Sequence, residues 1–589
     1  MSEFPLHLTI EWLKEHYQKG LTTPIEVINE IIARSNRDKA MNIWITPPNL
    51  DVIKPYLDRL ESLDPSDTPL WGIPFAIKDN IDLKDVPTTA GCEEFTYIPK
   101  VHASVVELLV HAGAIPIGKT NMDQFATGLV GTRSPYGETH NAIRGDLISG
   151  GSSSGSAVAV AKGQAAFALG TDTAGSGRVP AALNNLIGFK PSLGAWSKKG
   201  VVPACESIDS VSVFAHGLGD ALLVDQQLRF KDPTDPWSKE FPGPYASRPK
   251  KICLPKNPLK FYGSYEEDYK EAWRKAVDRI KELDIPIEYV DIHLFTKAAE
   301  ILYSGPWIAE RWAALGEFVD SHPHATHPVT EKVLRSGASD RYDAASLFHA
   351  MHKLQVLKRE AEDLLSNNVL IMPTCGGTWT REQVRRDPVA TNSHMGEYTN
   401  HCNLLDMAAI AVPGREATQK IPFGITLFSL SDQEGLMIEV ADRLLKQSKN
   451  ETNRNPVARL EEEMTYFVVC GLHMRGYPLE KQMIESGATF IKEETTSPSY
   501  QLVKLSGYPS KPGLIKKTDS GASIEVEIWK MPLKSLGKFT TSIPAPLGIG
   551  KVELQDGREL PGFICEGYAE HLAEDISQFG GWKNLQPLI

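Results

Sequence analysis

Apolar positions change period along the chain, and the changes mark out elements. "PLWGIPFAIKDNI" (69–81) is a nearly continuous apolar run that reads as a short buried strand entering a turn. "ASVVELLVHAG" (103–113) has helical spacing and closes on Gly113, and "AIPIGKT" (114–120) is strand-like. "SAVAVAKGQAAFALG" (156–170) reads as a helix followed by a strand. The alternation predicts an α/β domain built on a mixed central β-sheet. Farther on, "EEDYKEAWRKAVDRIKEL" and "DRYDAASLFHAMHKLQVLKREAEDLL" place apolar residues at helical spacing with charged outer faces, as helices that cover the sheet do.

The pattern shifts near residue 446. "KQSKNETNRNPVARLEEEM" is polar, holds a proline and has little to bury, which predicts an inter-domain linker over 446–463 between a domain 1–445 and a domain 464–589. Beyond it, "TYFVVCG", "ATFIKEE", "YQLVKLSGY", "SIEVEIWKMP" and "GIGKVELQDG" alternate with period two, so the second domain is small and β-rich. The apolar helical stretch "EGLMIEVADRLLKQS" before the linker is open to two readings, a homodimer seam or packing on its own domain.

Composition narrows the class. A chain of 589 residues with 41% hydrophobic and 23% charged residues is globular and too long for one core. The formal net charge of −12 speaks against nonspecific binding to nucleic acid or anionic membranes. A small anionic substrate then needs a local cationic group. The N-terminal twenty residues read as a surface helix rather than a signal peptide, and no apolar run reaches the roughly 18 residues of a membrane span. Seven scattered cysteines without a CxxC pair give no disulfide framework and no metal knuckle, which with the rest predicts a cytoplasmic protein.

Two motifs compete for the chemistry. "GAIPIGKT" (113–120) fits the phosphate-loop pattern GxxxxGK[ST], but helix and strand come in the wrong order, and Pro116 removes one backbone N–H. That rules against a nucleotide switch. The glycine- and serine-rich ends of "GGSSSGSAVAVAKGQAAFALGTDTAGSGRVPAA" (150–182) flank a good helix and strand, so they are two turns of one folded unit rather than a linker. Ser152 and Ser176 stand in those turns. "TDTAGSG" can aim successive N–H groups at one point, the geometry that suits an oxyanion. Neither Ser152 nor Ser176 is the serine of a GxSxG elbow, so nothing suggests a histidine base. Lys78, at the end of a buried apolar run, is the candidate base if burial keeps it neutral.

"GIPFAIKDN", "GGSSSGSA" and "GTDTAGSGRVPAA", in that order, resemble the amidase signature family over about residues 70–190. The resemblance implies the amidase signature fold and a triad of Lys78, Ser152 after a cis peptide bond, and Ser176 as nucleophile. It also implies an oxyanion hole from the N–H groups of Thr173, Ala174, Gly175 and Ser176, with Asp172 and Arg178 holding the loop. "TAGSGR" in place of the more usual Gly-Gly before the nucleophile resembles the allophanate hydrolase branch, as do "YSGPWIAERWAA" and "NMDQFATG". That likeness implies Tyr303, Arg311 and the backbone of Gly128 as binding groups for the substrate carboxylate, here allophanate, with no cofactor and no metal. "FVVCGLHMRGYPLEKQM" and "ELPGFICEG" resemble the C-terminal domain of the same branch, which has a γ-glutamylcyclotransferase-like fold. The acidic residue of true cyclotransferases has no counterpart in "WKMPLKSLGKFTTSIPAPLG", and His473 is the candidate group for handling an N-carboxycarbamate intermediate. Some relatives are fused to a biotin-dependent urea carboxylase, so functional coupling to such an enzyme is a further expectation. Another small-amide hydrolase of the family and a non-catalytic scaffold protein stay open beside this reading.

Overall fold

The computed structural model describes residues 4–241, 243–303, 305–448, 464–507, 509–519, 521–541 and 543–585. The chain divides into two compact units, Met1–Val457 and Ala458–Ile589. Of the predicted linker, residues 449–463 lie outside the described residues, while 446–448 complete the helix Glu434–Ser448.

The first unit is organised around one eleven-stranded sheet: Trp44–Thr46 (β1), Pro74–Lys78 (β2), Ile115–Thr120 (β3), Phe167–Asp172 (β4), Ile187–Lys190 (β5), Ser210–Ala215 (β6), Lys251–Pro255 (β7), Ile287–Val290 (β8), Asn368–Pro373 (β9), Met407–Pro413 (β10) and Gly424–Leu430 (β11). Its order is β1-β3-β2-β4-β6-β5-β10-β11-β9-β7-β8. The β3–β2–β4 and β9–β7–β8 pairs are parallel and the remaining pairs antiparallel, so the sheet is mixed. Every residue of β2 to β6 is buried, because helices cover both faces. Glu266–Lys281 turns Tyr269, Ala272, Ala276 and Ile280 inward, and Ala344–Leu365 does so with Leu354, Leu357, Ala361 and Leu365.

Three local readings resolve here. Gly113 follows the helix Ser104–His111 with φ +89°, the left-handed position that ends a helix, and Gly118–Thr120 belong to β3. Lys119 is fully buried and donates to Thr88 Oγ1 at 3.0 Å, so the phosphate-loop match has neither the loop nor the free lysine it needs. The helix Glu434–Ser448 spends Leu436, Met437, Ile438, Val440, Ala441 and Leu444 inside the core of its own unit, which decides between its two readings in favour of own-domain packing. Among the described residues no helix is long and apolar enough to cross a membrane.

The second unit holds a five-stranded sheet and a three-stranded one. The larger is built from Met464–Val469 (β12), Thr489–Thr495 (β13), Glu525–Pro532 (β16), Leu547–Glu553 (β17) and Glu559–Cys565 (β18). The smaller is built from Tyr500–Leu505 (β14), Lys511–Lys516 (β15) and Glu574–Asp575 (β19). The five segments with period-two alternation are β12, β13, β14, β16 and β17. Strands β15 and β18 went unpredicted, since Pro512, Gly513, Pro561 and Gly562 interrupt their alternation. Cys470, Met474 and Trp529 join the strands in one apolar core. All seven cysteines of the chain are buried and free.

Candidate active site

Parallel pairing of β2 with β4 brings their C-terminal ends together, and the site is built there. Lys78 closes β2 and is fully buried. Its Nζ lies 2.7 Å from Ser152 Oγ and 2.7 Å from Thr171 Oγ1 of β4, and Ser152 Oγ donates to Ser176 Oγ at 3.0 Å. The three residues named from the sequence thus form one continuous hydrogen-bonded chain. Burial lowers the Lys78 pKa from its usual value to about 7, although Asp123, Asp209 and Asp172 pull it upward. Arg311 adds to the lowering. An amine titrating there is neutral in a large fraction of molecules near neutral pH, as a proton acceptor must be.

Each serine is presented by a loop with little conformational choice. The Gly151–Ser152 peptide is cis. Ser152 O accepts from Asp123 N at 3.0 Å, and the Asp123 carboxylate accepts from the N–H groups of Val130, Gly131 and Arg133 at 2.9–3.3 Å. A side chain at Gly151 would strike Asp123 Oδ2, which leaves glycine as the residue that fits.

The Ser176 loop hangs on a buried ion pair. Asp172 Oδ1 takes Arg178 Nη2 and Gly175 N at 2.9 Å, while Oδ2 takes Arg178 Nε at 2.9 Å and Gly177 N at 3.0 Å. Burial opposes the Asp172 charge, but Arg178 outweighs it and holds the carboxyl below its usual range. Gly175 has φ +132°, and a Cβ there would lie 2.4 Å from Thr399 Oγ1. The Gly175 N–H, one of the four expected oxyanion donors, is given to Asp172.

The structure adds residues that sequence reasoning missed. Asp209 accepts from Thr173 Oγ1 at 2.5 Å and from the N–H groups of Ala204 and Cys205. Thr399 Oγ1 donates to Ala174 O at 2.7 Å, and Asn403 Nδ2 donates to Asp172 O at 2.7 Å. Thr171 had one readable signal, a hydroxyl near the end of the strand paired to that of Lys78. Asp209, Thr399 and Asn403 arrive from distant segments without a motif.

Arg311, in the helix Ile308–Ser321, is 1% exposed and donates from Nη1 to Thr127 Oγ1 at 2.9 Å. Thr127 precedes Gly128, so the predicted cation and the predicted backbone position are adjacent. The Arg311 charge also helps to lower the Lys78 pKa. Tyr303 ends the helix His293–Tyr303, and its side chain lies outside the described residues.

In the second unit His473 is half-buried, stacked on Phe563 (centroids 4.9 Å, 22°) and edge-on to Phe539. Its Nε2 lies 3.1 Å from Gln482 Oε1, which can only accept, so the proton sits on Nε2 and Nδ1 is left as an acceptor. Burial lowers its pKa, with Lys511 contributing. His473, Gln482 and Lys511 line a cavity of about 310 Å³, and no carboxylate lines it among the described residues.

Known proteins share both units. Residues 26–438 match the Amidase family, and residues 465–586 match the Allophanate hydrolase C-terminal domain. The urea amidolyase of Saccharomyces cerevisiae is 38% identical over 97% of this chain, and the match spans 33% of that protein. The chain therefore corresponds to about a third of the length of the curated relatives it matches along most of its own. The structure of Kluyveromyces lactis allophanate hydrolase is 37% identical with a TM-score of 0.78, covering 98% of both chains. A glutamyl-tRNA(Gln) amidotransferase subunit of Picosynechococcus sp. is 30% identical over 63% of this chain and 83% of its own.

Proposed function

The chain belongs to the amidase family and matches the allophanate hydrolase C-terminal domain, and we propose that it is an amidohydrolase that hydrolyses allophanate in urea degradation. The observation that carries the substrate assignment is the buried Arg311 guanidinium beside Thr127–Gly128, in the field of Lys78. A fixed cation next to an amide-cleaving triad suits a small amide that carries a carboxylate. Similarity that continues through the second unit supports the same substrate over that of the amidotransferase relatives.

In this reading neutral Lys78 accepts the proton of Ser152 as Ser152 accepts that of Ser176. Ser176 Oγ attacks the urea carbonyl of allophanate. The N–H groups of Thr173, Ala174 and Ser176 stabilise the oxyanion, an interaction worth about 3–4 kcal/mol per donor. The proton returns through Ser152 to the leaving nitrogen, ammonia departs, and water entering by the same relay releases N-carboxycarbamate. That dianion takes up a proton and loses carbon dioxide to give carbamate, which takes up a second proton from water and breaks down to ammonia and carbon dioxide. His473 is assigned to the N-carboxycarbamate step, and Tyr303 to the substrate carboxylate beside Arg311. We further assign the protein to the cytoplasm as a homodimer supplied by a biotin-dependent urea carboxylase; sedimentation of the full chain tests the dimer.

The deciding experiment measures ammonia release from allophanate by the intact chain and by Ser176→Ala. Rapid release by the first and none by the second supports substrate and nucleophile together. Turnover of simple aryl amides with none of allophanate would keep the triad and remove the substrate.

A further inference from the structure

The helix Ile308–Ser321 reaches the site with two consecutive residues, Glu310 and Arg311. Its buried face runs through Ile308, Arg311, Leu315 and Val319, the three- and four-residue spacing of one helical stripe. Leu315 and Val319 share an apolar cluster with Ala90, Phe125 and Val202. Glu310 stands off that stripe, since neighbours on a helix point about 100° apart, and the apolar packing does not involve it. Its half-buried carboxylate is nevertheless committed to one partner. Oε1 accepts from Ser207 N and Oε2 from Ser207 Oγ, both at 2.7 Å. Two short bonds to a charged acceptor fix geometry better than one.

Ser207 belongs to a tight turn over residues 204–209. Asp209 gathers that turn by accepting from Ala204 N and Cys205 N, while Ile208 N and Asp209 N both donate to Cys205 O. The same turn reaches into the site. Asp209 accepts from Thr173 Oγ1, and Ile208 O shares the Asn403 amide with Asp172 O. Just ahead of it, Val202 N donates to Asn80 O, two residues beyond Lys78. The adjacent helical residues are thus tied to two different segments. Arg311 holds Thr127, next to Gly128, and Glu310 holds the turn that holds Thr173.

We propose that Glu310 is a positioning residue that sets the span between the carboxylate anchor, Arg311, and the loop that bears Ser176. A substrate held by Arg311 has to present its carbonyl to Ser176 Oγ at the same time. The span between the two passes through Glu310, Ser207, Asp209 and Thr173, a path of hydrogen bonds and one short turn. That the anchored group is a carboxylate rests on the proposed function; the tie itself rests on the Glu310–Ser207 bonds.

The test compares Glu310→Ala and Glu310→Gln with the unmutated full chain in two readouts. One is kcat and KM for allophanate. The other is the rate at which a small sulfonyl fluoride, which carries no carboxylate, sulfonylates Ser176. In Glu310→Ala the anchor still binds but the carbonyl is misplaced, so kcat should fall about tenfold to hundredfold with a smaller change in KM. Sulfonylation should keep its rate, because it makes no use of the anchor. Glutamine can accept from Ser207 N and donate to Ser207 Oγ, so Glu310→Gln should recover most of the kcat, which assigns the effect to the bonds rather than the charge. Undiminished kcat in Glu310→Ala, a parallel loss of kcat and sulfonylation, or no recovery in Glu310→Gln each overturns the proposal. With turnover by the unmutated chain, any of these removes the role of Glu310 alone. Sulfonylation of the unmutated chain without turnover of allophanate removes the proposed substrate, and this role with it.

Discussion

The two units place a titratable base in opposite surroundings. Lys78 is fully enclosed, meets two hydroxyls at 2.7 Å and lies among three buried carboxylates and a guanidinium. His473 is half-buried on a cavity wall, packed on two phenylalanine rings and fixed by one amide. A lysine has to be brought far down from its usual pKa before it can accept a proton near neutrality, and that takes complete desolvation. A histidine begins near neutrality, so an aromatic seat and one hydrogen bond suffice. The difference in surroundings matches the difference in starting pKa between the two groups.

Breaking the enclosed chain should have the largest effect. Ser176→Ala and Lys78→Met are each expected to lower ammonia release from allophanate by at least about 10³-fold, with the double variant hardly worse than either single one, since the groups act as a unit. Next comes the ion pair that holds the loop. Arg178→Met leaves the Asp172 carboxylate buried without its partner, and a loss of about 3–5 kcal/mol in denaturant unfolding of the first unit is expected. If the second unit folds independently, its transition stays where it was.

The surroundings of Lys78 also make a statement about pH. Its pKa is lowered in the folded enzyme, so the protonated, inactive form accumulates below about 7. kcat/KM should rise with pH through a midpoint near 7 and level off above it. The stability term runs the same way: the unfolded chain binds a proton at Lys78 from its ordinary pKa downward, and the folded one does not until about 7, so between those values this group favours unfolding as pH falls. A profile flat from pH 6 to 9 would count against Lys78 as the base. On a smaller scale, Thr173→Val removes the donor to Asp209 and leaves a buried carboxylate oxygen short of one bond, at a cost of about 1–3 kcal/mol. If that bond positions the oxyanion strand, kcat falls while KM holds.

How much of this was legible in the sequence differs between the units for physical reasons. Strands β2 to β4 are buried on both faces and short, so they read as apolar runs, and the turns beside them needed glycine and serine that stand out against such runs. Lys78, Ser152 and Ser176 were accessible because the two serines sit at turns of unusual composition and the lysine ends a buried apolar run. The supporting shell was not. Asp209, Thr399 and Asn403 are ordinary polar residues whose value comes from tertiary placement, and Gly175 looked like an oxyanion donor until the Asp172 carboxylate was found to claim its N–H. In the second unit, β15 and β18 carry proline and glycine in mid-strand, which masks period two.

The smallest expected effect on the first chemical step is the sharpest test of the comparison. His473→Ala should leave loss of the first ammonia from allophanate unchanged, because that step is assigned to Lys78, Ser152 and Ser176, which all belong to the first unit. Release of the second ammonia should lag, measured against consumption of allophanate. Gln482→Leu retains the ring and its stacking but removes the acceptor that keeps the proton on Nε2, so the histidine can take either tautomer. If His473 acts through a defined nitrogen, Gln482→Leu reproduces part of the lag with the first step intact. If the histidine only packs against Phe563, the leucine variant behaves like the unmutated enzyme, since an apolar side chain of similar size preserves that contact. A lag in His473→Ala without one in Gln482→Leu would mean that the ring is needed but its proton position is not.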